Sequence, residues 1–210
     1  MIILQVADFS WAQWHAHPSI ILGLLAFGGA YMLGVGPLRQ RFQLGPCVEG
    51  WRVSVFLLGV VVLMVALLSP IHDLGERYLF SFHMLQHMLL MLVFPPLVLI
   101  GTPPWLLRPL LRSPVVRKVA SFVTRPVAAF LIFDAVLVFW HVPGLYDLAL
   151  RERNIHILEH ITFMGAAVLM WWPVLSPMPE LPRAPYIGQM AYLFLVPTVS
   201  AILGAFITFS

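Results

Sequence analysis

The chain has 210 residues, 60% of them hydrophobic and 10% charged, with a formal net charge of +3 and a mean hydropathy of +0.92. A soluble domain carries about 25% charged residues, so this chain has too little polar surface to stay dissolved as a globule and takes the lipid bilayer as its solvent. Its basic residues cluster in short loops between apolar runs, which speaks for membrane orientation and against nucleic acid as a partner.

Taken in order, the apolar runs predict a single all-α transmembrane domain over residues 1–210. The N-terminus has no basic stretch ahead of an apolar core, so no cleaved signal peptide is expected and the first span itself directs insertion. A spanning helix needs about 20 apolar residues. Six candidates answer to that: Ile20–Gly36, Val53–Ser69, Tyr78–Ile100, Pro126–His141, Ile155–Leu175 and Gly188–Phe209. Pro95-Pro96 late in the third span removes two backbone donors and predicts a kink or an end near Phe94, and Pro173 and Pro197 predict similar breaks in spans five and six. Between spans three and four, residues 106–123 (LLRPLLRSPVVRKVASFV) hold four basic residues and two prolines. That stretch is too charged to span and reads as an interfacial segment.

Orientation follows from the loop charges. Arg39, Arg41, Arg52, Arg108, Arg112, Arg117, Lys118, Arg125 and Arg183 fall on one side, and only Arg77, Arg151 and Arg153 on the other. The richer side is assigned to the cytoplasm, which puts the N-terminus outside and the interfacial segment on the cytoplasmic face of a bacterial inner membrane. All eight histidines then fall in the outer half. His15 and His17 lie in an aromatic stretch (WAQWHAHP) and read equally as interface anchors. Cys47, the single cysteine, excludes an intrachain disulfide and a cysteine-rich metal site.

Two segments carry the chemistry. HMLQHMLLM, from His83 to Met91, is answered by HILEHITFM, from His156 to Met164. At four-residue spacing His83, His87 and Met91 share one helix face, as do His156, His160 and Met164. Both spans run inward, so the ladders are parallel and are expected to face each other and hold copper jointly, with His83, His87, His156 and His160 as the main ligands. Imidazoles inside a bilayer turn towards the bundle interior. Imidazole with thioether and no thiolate favours copper, Cu(I) above all, over zinc. His141, ending span four, falls at the same level and completes the set or lines its entrance. The bland readings are packing methionines and histidines bonded between helices. Asp134, mid-span and seven residues before His141, reads either as an acceptor orienting an imidazole or as a neutral core residue. A bis-histidine haem needs one histidine per helix, which leaves the i+4 partners unexplained unless two haems stack. No Ser/His/Asp pattern or H-E-x-x-H suggests an enzyme.

With these residues in view, the chain resembles the CtaG family of polytopic cytochrome c oxidase assembly factors, as distinct from the single-span copper chaperone that shares the name. The resemblance rests on SFHMLQHMLLMLVFPPLVLIGTP (Ser81–Pro103), WHVPGLYDLAL (Trp140–Leu150), HILEH and WWPVLSPMP (Trp171–Pro179). It implies a helical bundle, usually of seven spans, that is needed for a working copper–haem oxidase, with oxidase subunits as partners and copper delivery as the proposed task. The family's histidine positions correspond to His83, His87, His141, His156 and His160. One departure is that this sequence stops at the end of span six, as a short member or a fragment would. The expected function is copper binding for oxidase assembly without catalytic turnover. The competing readings are an accessory subunit of a respiratory complex and a haem-binding membrane protein.

Overall fold

A computed structural model of the chain describes Trp14, residues 18–77 and residues 79–209. His15 and His17 lie outside the described residues. The described chain is helical throughout its ordered elements, and every predicted span overlaps helix over most of its length. Among the described residues, four helices are long and apolar enough to cross a membrane: Pro18–Phe42, Gly50–Leu68, Ser81–Gly101 and Arg153–Leu175. A fifth crossing is available if the bent pair Pro114–Val123 and Pro126–Trp140 is taken as one. The last apolar helix runs over Tyr186–Phe209.

The surface is the reverse of a soluble protein's. Leu25 and Leu22 are each 66% exposed, and Leu131, Phe139, Ile161 and Phe194 also face outward. His83, Gln86, His87, Asp134, His156, Glu159 and His160 are buried instead. Hydrocarbon on the outside and polar groups on the inside is the arrangement that lipid, as solvent, selects.

The chain forms two compact units, one up to Leu106 and one from Leu107. In the first, α1 (Pro18–Leu33) passes through a π turn at Gly34–Leu38 into α2 (Arg39–Phe42). Pro37 lies in that turn and Gly36 leaves helical geometry there, so the proline kinks the helix as its missing N–H requires. Next come α3 (Gly50–Leu68), α4 (Pro70–Arg77) and α5 (Phe80–Met88), which continues through a π turn at Leu89–Val93 into α6 (Phe94–Gly101). Here the expected break near Phe94 takes a definite form. Pro95 would collide with the carbonyl four residues back, and the helix responds by widening, so that the Phe94 N–H reaches the Leu89 carbonyl.

Helix α6 packs on α3, and Gly101 makes that contact possible. A Cβ on Gly101 would stand 2.7 Å from the Phe56 backbone nitrogen and Cβ. Tyr31 stacks on Phe56 with centroids 3.6 Å apart and donates to the Gly101 carbonyl at 2.8 Å. Arg52 donates to the Ile100 carbonyl at 3.2 Å, placing a cation at the C-terminal end of α6.

The second unit begins as α7 (Pro104–Leu107) gives way to a 3-10 turn at Arg108–Arg112. It continues with α8 (Pro114–Val123), α9 (Pro126–Trp140), α10 (Pro143–Arg151), α11 (Arg153–Leu175) and α12 (Tyr186–Phe209). Helix α8 covers the later part of the segment, residues 106–123, expected to lie at the membrane interface. Ser113 accepts from the Val116 N–H at its start, and α8 meets α9 at 79°. Val115, Val119 and Phe122 are exposed along one side of α8.

Helices α10 and α12 both pack on this unit's α9, and α9 packs on α11. The prolines predicted to break spans five and six are instead accommodated within helices. Pro173 lies near the end of α11 and Pro197 inside α12. Near each, a side chain donates to a backbone carbonyl: Tyr192 to Met170 at 2.8 Å and Thr198 to Phe194 at 2.8 Å.

Candidate functional site: two buried histidine ladders

Ladder one is seated by α4. A Cβ on Gly75 would lie 2.9 Å from the backbone N and Cα of His83, so only glycine lets α4 approach α5 so closely. That approach brings His72 to Gln86, whose amide Nε2 lies 3.1 Å from His72 Nδ1. An amide N–H donates, so the imidazole lone pair sits on Nδ1 and its hydrogen on Nε2. Gln86 is 0% exposed, and its Oε1 has no hydrogen-bond partner among the described residues. His83 and His87, both buried, present rings with centroids 4.4 Å apart and planes 38° apart. Met91, half-buried, falls inside the π turn, so the α-helical spacing of the ladder is stretched at its third rung.

Ladder two stands on α11, which is regular over its full length. His156 and His160 are buried, with centroids 4.3 Å apart and planes 74° apart. Glu159, 3% exposed, brings Oε2 to 3.7 Å from His156 Nδ1. Its carboxylate also reaches α10. Burial first, and then the charges of Glu159 and Asp147, hold the Tyr146 phenol above its ordinary pKa. Met164 is half-buried one turn beyond His160.

His141 caps α9 and donates from Nδ1 to the Leu137 carbonyl at 2.7 Å. A carbonyl only accepts, so Nδ1 carries the hydrogen and Nε2 keeps a free lone pair. Its ring meets Phe163 edge-on at 6.3 Å, which puts it beside the second ladder. The α9–α11 contact is fixed by Trp140, which donates to Thr162 Oγ1 at 2.8 Å. Asp134 is buried in α9, and neither carboxyl oxygen has a hydrogen-bond partner among the described residues.

The structure thus brings His83 to His87, and His156 to His160 with His141 nearby, and places the two pairs in separate units. Among the described residues, no group of three or more His, Cys, Asp or Glu side chains comes together in a way that holds a metal. Each ladder offers two imidazoles. Copper(I) fits such a set by chemistry: it accepts neutral nitrogen and thioether donors and needs few of them. Imidazole nitrogens bind metals at about 2.0 Å, and each ladder sets two rings with centroids 4.4 or 4.3 Å apart. Cys47 is exposed in the loop before α3 and takes no part. Sequence reasoning passed over Gln86 and Glu159. Their signal was present in the pattern H-x-L-(Gln/Glu)-H, where a polar residue three after the first histidine shares its face.

Imidazole ladders buried in helices clad with exposed hydrocarbon define a polytopic helical membrane protein with donor groups in its interior. The chain belongs to the cytochrome c oxidase caa3 assembly factor family (Caa3_CtaG), whose model matches residues 29–210. It is also 29% identical over 196 residues, 86% of its length, to uncharacterised proteins of Mycobacterium bovis and Mycobacterium tuberculosis. A third such protein, of Mycobacterium leprae, is 26% identical over 193 residues, 83% of this chain. The chain spans 29% of the length of each of these curated relatives. No solved structure matches it.

Proposed function

We propose that the chain is a copper-binding assembly factor of the bacterial cytoplasmic membrane, working without turnover of its own and passing copper to cytochrome c oxidase subunits. The observation that carries the reading is the pair of buried two-imidazole ladders in an oxidase assembly family. His83, His87, His156 and His160 are the main ligands. His141, with its Nε2 lone pair kept free by the Nδ1 bond to Leu137, lines the approach to the second pair. Met91 and Met164 supply soft donors one turn deeper, where Cu(I) is held in transit. Asp134, buried in the helix that His141 ends, is the residue proposed to orient an imidazole. The loop charges support an outward-facing N-terminus and histidines in the outer half of the membrane.

The test is the metal content and visible spectrum of the purified protein, read together with oxidase assembly in cells. Bound copper, together with an oxidase that retains haem but lacks copper in a His83→Ala, His87→Ala strain, is the expected result. A haem spectrum would give the ladders to haem. Metal-free protein with full oxidase activity in that strain would leave an accessory structural subunit.

A further inference from the structure

The two units follow one plan. In the first, α3 packs on α6, α4 packs on α5 and α3 touches α4; in the second, α9 packs on α11, α10 packs on α11 and α9 touches α10. Each is a long apolar helix, then a short helix opened by proline, then a long helix carrying the ladder. The offset between them is constant. Pro70 and Pro143 open the short helices, Phe80 and Arg153 open the ladder helices, and His83/His156, Leu85/Leu158, His87/His160 and Met91/Met164 pair up, all 73 residues apart.

Burial agrees with the same alignment. From Ser81 to Leu92 and from Asn154 to Gly165, every position has the same degree of burial except Met84 and Ile157. Helical periodicity alone would reproduce much of that phase once one histidine is matched. It would not reproduce the proline-initiated helix at the same distance upstream, or the matching set of helix contacts. Gln86 and Glu159 are equivalent under this alignment, each buried and each set beside a histidine nitrogen.

We infer that the two units are tandem copies of one three-helix module, and that each copy holds its own Cu(I) on its own histidine pair, with Glu159 as a positioning residue of the second. The inference rests on the copper reading above and refines it from one site to two. The two sites differ in charge. The first is backed by a neutral amide bonded to His72. The second is backed by a carboxylate 3.7 Å from His156 Nδ1, a partner that raises the basicity of the ligating imidazole.

The experiment is Cu(I) titration of the full chain in detergent against a chromophoric chelator, with bound copper counted by elemental analysis. The intact chain is expected to bind two copper ions. His83→Ala with His87→Ala, and separately His156→Ala with His160→Ala, each leave one, and all four changes leave none. Should an alanine pair unfold the chain by circular dichroism, the same positions changed to Gln keep polar side chains of similar size and are counted instead. Glu159→Gln weakens one of the two sites about 10- to 100-fold and leaves the other unchanged. An intact chain that binds one copper ion and loses it when either pair is changed, or a Glu159→Gln effect shared by all bound copper, would overturn the two-site inference and leave the copper reading standing. No copper on the intact chain would overturn both.

Discussion

Asp134 shows how a buried carboxyl divides between two roles. It lies inside an apolar helix, and neither oxygen finds a hydrogen-bond partner among the described residues. A carboxylate in that condition is costly to keep unless something it serves repays the desolvation. If it orients a ligand, Asp134→Asn keeps the fold and weakens copper binding about 10- to 100-fold. Asp134→Leu removes the buried polar group and is expected to raise the thermal midpoint in detergent while losing the same affinity. Copper affinity unchanged in both variants would assign Asp134 to the core alone.

Among the helices, the close approach of α3 and α6 is the joint of the first unit. Gly101 has no room for a side chain against Phe56, and Tyr31 bonds the carbonyl of that same residue. Gly101→Ala must push the two helices apart, at a cost of about 1–3 kcal/mol, measured as a lower unfolding midpoint. Tyr31→Phe leaves the shape intact and loses only the hydrogen bond, so it is expected to cost about 1 kcal/mol. If Gly101→Ala proves as mild as Tyr31→Phe, the packing of α3 on α6 is looser than the geometry requires.

For the whole molecule, orientation is the property on which the proposed copper reading depends, because it decides which side of the membrane the histidine ladders face. Cys47 is the single thiol of the chain and is exposed, in the loop that also follows Arg39 and Arg41. A membrane-impermeant maleimide is expected to leave it unlabelled in intact spheroplasts and to label it once the membrane is opened. Labelling in intact spheroplasts would turn the chain over and place the histidine ladders in the inner half.

The one-dimensional record determined whatever depends on local period and composition. Six apolar runs are helices because a backbone in lipid has no other way to satisfy its hydrogen bonds, and that requirement can be read residue by residue. The histidine spacing put His83 over His87 and His156 over His160 for the same reason, and the rings do lie 4.4 and 4.3 Å apart. What tertiary structure decided was how backbone interruptions resolve and which side chains meet across helices. Pro95 became a π turn rather than an end, and Pro197 remained inside its helix, because neighbouring donors and helix widening are properties of the surroundings and not of proline. His72 reaches Gln86 only because Gly75 lets two helices touch. Such meetings join residues far apart in the chain or fix a rotamer by packing, and no periodicity encodes them.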